Sequence, residues 1–124
     1  MKAYTDLEQS KKLAEILPIE SADMEYMFLK EDNSKVSNIP FIKDDDEPEW
    51  PTDSDYDFIP CWSLTAFLNV LPFPNLSKDK LGSGKEGWMV SVYPDNCRYD
   101  SCWHDNPVDC CIEMIIKLHE QKLL

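Results

Sequence analysis

The sequence predicts an α+β domain in which a small antiparallel sheet of about four strands packs with three helices. Each of three segments with helical spacing of apolar residues begins at a residue type that caps helices. Segments rich in β-branched and aromatic residues lie between them and are bounded by turn residues. The predicted element order is α-β-β-α-β-β-α, which favours an antiparallel sheet with its helices mainly on one face.

A short helix between Ile59 and Pro72 is the most clearly marked element. Its apolar residues follow the i, i+3, i+4, i+7 spacing of one helical face, and they are Leu64, Phe67, Leu68 and Leu71. Ser63 can accept a backbone N–H bond at the helix start. Pro72 ends the helix because the residue before a proline avoids the helical conformation. We expect this helix to be buried against the sheet.

Helices are also expected near both ends of the chain. Thr5–Glu8 has the pattern of a capping box, and the helix that it begins is expected to run to about Leu17. Asn106–Pro107 supplies a capping residue followed by a proline at the first helical position, where the missing N–H is harmless. The helix that follows is expected to end at about Lys122.

Four strands are expected between these helices. They are Met24–Lys30, Val36–Ile42, Trp88–Tyr93 and Arg98–His104. Pro40 favours an edge position for the second strand, because proline has no N–H to donate to the ladder. The last two strands are expected to form a hairpin. Residues Phe73–Gly87, which are rich in Pro, Lys, Ser and Gly, are expected to form a loop.

The charge of the chain is concentrated in one segment. The 124 residues carry a formal net charge of −12, and residues 44–57 contain eight acidic residues and no basic one. Removing those eight charges leaves −4 on the other residues. We therefore expect one domain, residues 1–124, with an acidic loop at residues 44–57. Direct binding to nucleic acid is disfavoured, because it requires a basic surface.

Cysteine usage and hydropathy indicate a cytoplasmic location. The five cysteines are an odd number, which suits a reducing compartment in which they remain thiols. No apolar run approaches the roughly 18 residues that span a bilayer, so no membrane association is expected. The first residues lack the apolar core of a signal peptide.

Three fragments carry a resemblance to other proteins. They are Ser21-Ala-Asp-Met24, Ile59-Pro-Cys-Trp-Ser-Leu64 and Asp105-Asn-Pro-Val-Asp-Cys110, the last with the helix after it. Together they resemble small uncharacterised proteins carried by gut anaerobic bacteria and their mobile elements, and the resemblance covers most of the chain. It implies a bacterial cytoplasmic or phage-borne protein, and it supplies no catalytic residue.

Cys61 is the first candidate for chemistry. Cys61-Trp62 at the start of a helix faintly resembles the nucleophile region of papain-like cysteine peptidases. A helix N-terminus lowers the pKa of a thiol, and the thiolate is the nucleophile. His104 could be the base, with Asp105 or Asn106 as its orienting residue. However, acidic residues just before Cys61 would raise the thiol pKa, and the alternative interpretation is a small core residue beside Trp62.

No metal or cofactor site is predicted. Cys97, Cys102, His104 and the pair Cys110–Cys111 are soft ligands, but none of their spacings is the Cys-x2-Cys of zinc sites. Whether Cys97, Cys102, His104 or Cys110 binds a metal therefore stays open. Asp53–Asp57 matches the first ligand positions of a calcium-binding EF-hand loop, but the glycine and the glutamate that such a loop requires are missing. Gly82–Lys85 resembles part of a nucleotide-binding loop, but the rest of that motif is missing.

The sequence is best interpreted as a non-enzymatic protein-interaction module. Its candidate binding residues are four aromatic side chains, namely Trp50, Tyr56, Trp62 and Trp103. Tryptophan is favoured as an interface anchor because it buries a large area. Two alternatives come from other classes of protein. One is a small cysteine hydrolase that uses Cys61 and His104, and the other is an acidic decoy that occupies a basic nucleic-acid-binding protein.

Overall fold

The computed structural model describes residues 2–43 and 56–124. These residues form three α-helices and two three-stranded antiparallel sheets, which confirms the α+β class. The sequence predicts one sheet of about four strands, so the described strands differ in number and grouping from that prediction. The chain divides into two compact units. The N-terminal unit is residues 6–62, and the C-terminal unit is residues 63–124 with residues 2–5.

The N-terminal unit is a three-stranded sheet with one helix. Its elements are α1 (Leu7–Ala14), β1 (Met24–Leu29), β2 (Phe41–Ile42) and β3 (Tyr56–Cys61). β1 is the central strand, and both of its neighbours are antiparallel to it. α1 packs against β3. The core of this unit therefore lies around β1, where Tyr26, Met27 and Phe28 are buried.

The first helix begins one residue later than the sequence predicts. Its N-cap is Asp6, whose Oδ1 accepts from the backbone N–H of Gln9 at 2.8 Å. The side chain of Gln9 returns a bond to the backbone N–H of Asp6 at 3.1 Å, so the capping box is present but shifted by one residue. Thr5 is instead fully buried. After Ala14 the chain continues as turns, because Ile16 and Leu17 both donate to the carbonyl of Leu13.

β3 includes two residues that the sequence assigns to the acidic loop. Tyr56 and Asp57 pair with Leu29 and Phe28 of β1. Tyr56 and Phe58 are aromatic residues with high strand propensity, which favours a strand at these positions. Pro60 is tolerated because β3 lies at an edge of the sheet. Residues 44–55, with Trp50, lie outside the described residues.

The predicted second strand is interrupted. Lys35 bridges to Phe28, and Phe41–Ile42 pairs with the start of β1. These two pairings differ in register by three residues, so residues between them leave the ladder. Beside the Lys35 bridge, the amide of Val36 also donates to the carbonyl of Met27 at 3.0 Å. The edge position inferred from Pro40 is confirmed.

The C-terminal unit contains the second sheet and two helices. Its elements are α2 (Leu64–Val70), β4 (Asn75–Lys80), β5 (Glu86–Val92), β6 (Tyr99–Asp100) and α3 (Pro107–Glu120). The strand order is β4-β5-β6, and both pairs are antiparallel. α3 packs against β5 and α2. α2 begins at Ser63 as predicted, but it packs on a helix where we expected a sheet.

β4 occupies part of the predicted loop. Lys78 lies opposite Trp88, with its ammonium 5.1 Å from the ring centroid, and forms a 3.1 Å ion pair with Glu86. Such cross-strand pairs stabilise a polar strand that has no apolar alternation of its own. A tight turn follows, in which Gly84 has a φ of 83° that favours glycine. Among the described residues, no helix combines the length and apolar character needed to cross a membrane.

The packing of α3 predicts the effect of truncating its buried face. Met114→Ala should lower the free energy of unfolding by about 2–4 kcal/mol, because the fully buried side chain leaves a cavity. Glu120→Ala, at an exposed position of the same helix, should change it by less than about 0.5 kcal/mol. Urea unfolding measures both values. Equal effects of the two substitutions would contradict this packing.

Candidate functional site

A β-bulge lies beside the central strand of the C-terminal unit. Ser91 of β5 pairs with Asp100, whereas Trp88 pairs with His104 in a register shifted by one residue. One extra residue therefore lies between Ser101 and His104. Bulges of this kind redirect side chains and release a backbone group from the ladder.

Ser101 stabilises the start of the bulge from inside. Its buried hydroxyl accepts from the amide of Val90 at 3.0 Å and donates to the carbonyl of Cys102 at 2.9 Å. The amide of Ser101 also donates to the carbonyl of Val90 at 2.9 Å. These bonds compensate for the ladder bonds that the bulge interrupts.

Glu113 of α3 holds the outer side of the bulge. Its Oε2 accepts from the backbone amide of Cys102 at 2.8 Å, and its Oε1 lies 2.9 Å from His104 Nε2. We call Glu113, His104 and Cys102 the Glu113 clamp. Burial would raise the pKa of Glu113, but bonds from the His104 ring and from the amide and thiol of Cys102 together lower it below its usual range. The clamp thus holds a carboxylate in its charged form.

The Glu113–His104 pair resembles two members of a catalytic triad, the histidine that serves as base and the carboxylate that orients it. A carboxylate beside an imidazole nitrogen fixes the orientation of the ring, as in hydrolases. A nucleophile would also have to contact the imidazole, whereas the observed hydrogen bond of the His104 ring is with Glu113. The arrangement therefore supports a structural role, the fastening of α3 to the bulge.

Sequence reasoning paired His104 with different partners. Asp105 is exposed, and Asn106 uses its Oδ1 to cap α3 by accepting from the amide of Asp109 at 2.8 Å. Glu113 was missed, although one signal was present. It is the only acidic residue between Ile112 and Ile115, in the middle of the apolar part of α3.

Cys61 is the last residue of β3 and is fully buried. It lies two residues before the N-cap Ser63, so Trp62 separates it from the start of α2. Cys61 belongs to the N-terminal unit and His104 to the C-terminal unit. The use of these two residues in a hydrolase stays a prediction.

The remaining cysteines divide into an exposed and a buried pair. Cys97 and Cys102 are exposed, whereas Cys110 and Cys111 are buried on α3. The thiol of Cys110 donates to the carbonyl of Pro107 at 3.0 Å. The hydrogen bond with Cys110, together with burial, raises the pKa of Cys111. Within residues 2–43 and 56–124, no three Cys, His, Asp or Glu side chains are grouped so that they could hold a metal ion.

The candidate aromatic residues occupy different environments. Trp62 is fully buried, and its Nε1 donates to the hydroxyl of Ser21 at 2.9 Å, so it lies in the core. Tyr56 is half-buried in β3. Trp103, on the bulge, is 41% exposed and is the aromatic candidate that the structure places at the surface. Trp50 lies outside the described residues.

A second set of exposed apolar residues belongs to the turn before β1 and to the chain between β1 and the end of β2. We call it the edge patch, and its members are Ile19, Val36, Ile39 and Ile42. Ile39 is 62% exposed and Ile42 is 75% exposed. Ile19 lies near the end of β2, because its carbonyl accepts from Lys43 Nζ at 3.3 Å. Sequence reasoning missed this group, since isoleucines in a strand are expected to be buried.

The lowered pKa of Glu113 predicts a pH-dependent stability. The charged clamp stabilises the fold above the usual carboxyl pKa, and this contribution is lost as the pH falls through the lowered folded-state value. Glu113→Gln should therefore lower Tm by about 3–6 °C near neutral pH, the effect of losing a charged hydrogen bond worth about 1 kcal/mol. The difference from the wild type should shrink as the pH falls below the usual carboxyl pKa and through the lowered folded-state value. Thermal unfolding measures it, with Glu120→Gln as the exposed control on α3. A difference that is independent of pH would contradict the clamp.

The burial of the thiols predicts their reactivity. Iodoacetamide should label Cys97 and Cys102 in the folded protein, and all five cysteines in denaturant. Peptide mass spectrometry after timed labelling reports each site. Labelling of Cys61 at the rate of Cys97 in the folded state would contradict its burial and would strengthen the hydrolase alternative.

Comparison of the chain with protein-family models, with curated proteins and with solved structures gave no match. The function proposed for this chain therefore depends on the placement of its own residues. Two features of the described surface stand out, namely the Glu113 clamp with Trp103 beside it and the edge patch.

Proposed function

We propose that the protein is a non-enzymatic, cytoplasmic protein-interaction module of a bacterium or its mobile element. The observation that carries this proposal is the exposure of the edge patch. The exposure of large aliphatic side chains to water at a sheet edge is unfavourable. Covering them with another surface lowers the free energy. A protein partner that packs on β2 would provide that cover.

The two sheets differ in how their outer strands are protected. β4 carries Lys78 and Lys80, and lysines on an edge strand oppose pairing with another chain. Beside β1 the lysines are Lys35 and Lys43, outside the two residues of β2, and β2 itself carries exposed Ile42 after Phe41, with exposed Ile39 just before it. The contrast supports the N-terminal unit as the side that receives a partner.

The charge that follows β2 in the sequence supports a particular kind of partner. Asp44 follows Ile42 by only two residues in the sequence. Residues 44–57 contribute eight acidic residues. We therefore expect a partner that presents apolar side chains beside basic ones, with Trp50 and Tyr56 as further candidate contacts.

The two alternatives have weaker support. A cysteine hydrolase would need an accessible thiolate, but Cys61 is fully buried, and the imidazole of His104 faces Glu113. An acidic decoy of nucleic acid would need negative charge over a long surface, whereas the acidic residues are concentrated in residues 44–57.

The proposal predicts which substitutions abolish binding. A tagged chain carrying Ile39→Ser and Ile42→Ser should retain at least about tenfold less of the bound partner than the wild type does. The reason is that the double substitution removes apolar contact area. Leu124→Ser, which alters an exposed apolar residue of the C-terminal unit, is the matched control and should retain it. Quantitative mass spectrometry of proteins retained from cells of the source organism measures the ratio. Retention of the same proteins by all three chains would overturn the proposal.

A further inference from the structure

β2 is attached to the N-terminal sheet by few residue pairs. It has two residues, Phe41 and Ile42, which lie opposite Glu25 and Met24 of β1. β3, on the other side of β1, pairs through six residues. The register changes beyond Phe41, so the next bridge on that side of β1 belongs to a separate segment. Strands held by so few pairs open locally at a much smaller cost in free energy than the whole fold.

One of these two pairs contains a buried carboxylate. Glu25 is 9% exposed in the central strand. Residues directly opposite in antiparallel strands project on the same face of the sheet, so Glu25 is flanked by Phe41 of β2 and Pro60 of β3. Buried Met27 follows on the same face, because side chains alternate along a strand. The neighbours of the carboxylate on the sheet are therefore apolar.

One opposite charge compensates for this burial in part. The ammonium of Lys43, just after β2, attracts the carboxylate of Glu25, but it also donates to the carbonyl of Ile19 at 3.3 Å. Burial raises the pKa of Glu25 by more than the charge of Lys43 lowers it. The carboxylate in its charged form therefore destabilises the packing that surrounds it.

Other charged residues beside β1 add no compensating charge to this face in the described part of the chain. Asp23, two residues before Glu25, is itself acidic. Asp57 of β3 lies opposite Phe28 and so projects from the other face. The charged residues of α1, which packs against β3, are exposed to solvent, and they are Glu8, Lys11 and Lys12.

Release of β2 removes Phe41 from beside Glu25 and lets water reach the carboxylate. Solvation lowers the free energy of the charged form, whereas a neutral carboxyl gains much less from it. We propose that β2 is a releasable strand, whose release from β1 is favoured by ionised Glu25 and opposed by protonated Glu25. A proton on one buried side chain thereby selects between a paired and a released strand.

This release changes the edge patch. Ile42 belongs to β2, and Ile39 precedes Phe41 by two residues, so both move with the strand. A partner that covers the edge patch meets different surfaces in the two states of β2, and its binding shifts the balance between them. This consequence rests on the proposed function, whereas the release of β2 does not.

Amide hydrogen exchange of the full chain, measured by NMR, tests the proposal without a partner. The amide of Lys43 donates to the carbonyl of Asp23 at 3.0 Å, and the amide of Phe41 points to β1 by the alternation of the ladder. The amide of Tyr26, opposite Ile59, points to β3. Relative to their intrinsic rates, we expect Phe41 and Lys43 to exchange at least about 100-fold faster than Tyr26, since release of β2 leaves β3 paired.

Glu25→Gln removes the charge and keeps the size of the side chain, and Glu31→Gln, at an exposed position after β1, is the matched control. At about pH 8, Glu25→Gln should slow the exchange of Phe41 and Lys43 at least about fivefold, and Glu31→Gln should change it less than about twofold. In the wild type, both amides should become better protected as the pH falls through the raised pKa of Glu25. This pH dependence should be absent from Glu25→Gln.

Exchange of Phe41 and Lys43 as slow as that of Tyr26 would overturn the proposal, because β2 would then open only with the rest of the unit. Fast exchange of Lys43 alone would also overturn it, since the residue after β2 would then move without the strand. Unchanged or faster exchange in Glu25→Gln, or a pH dependence that persists in it, would do the same. These outcomes are separate from partner retention by the serine variant of the edge patch, so failure of the proposed function is recognised independently.

Discussion

The carboxylate of Glu113 is the contact on which the C-terminal unit depends. It joins α3 to the bulge through the amide of Cys102 and the ring of His104. The bulge is what leaves that amide available, because it shifts the register between β5 and the strand after it. Glu113, His104 and Cys102 are residue types found in catalytic centres, but here their contacts fasten α3 to the bulge. The exposed Trp103 lies between Cys102 and His104 in the sequence.

The two sheets reach stability in different ways. In the C-terminal unit, β5 is buried under α3 and its outer neighbour β4 is polar and protected by lysines. In the N-terminal unit, β1 is buried, but the chain beside it contributes isoleucines that remain in water. Single exposed apolar residues are common on protein surfaces, whereas several beside one sheet edge are the basis of the partner surface that we propose.

Local signals in the sequence predicted the helices and β1 well. Ser63 and Asn106 cap their helices as expected, since capping depends on residues within one turn. β4 was missed because its polar residues are stabilised by partners across the strand pair, such as Trp88 opposite Lys78. The division of the strands into two sheets depends on contacts distant in sequence, which spacing does not encode.

The candidate site was less predictable than the fold, for the same reason. His104 was singled out as a candidate base, and the residue that its ring contacts, Glu113, lies on another element. Cys61 and Trp62 were singled out by residue type, whereas burial decides their role. The edge patch was missed because exposure is a tertiary property, and no local pattern distinguishes Ile42 from a buried isoleucine.

Isoleucine methyl NMR is the most direct test of the proposal that a partner protein covers the edge patch. The spectrum of the full chain labelled at its isoleucine methyl groups is compared in buffer and in a concentrated extract of the source organism. If a partner covers the edge patch, the signals of Ile39 and Ile42 should shift. The signals of Ile112 and Ile115, which are buried on α3, should keep their positions. Unchanged signals of Ile39 and Ile42 in the extract would contradict it.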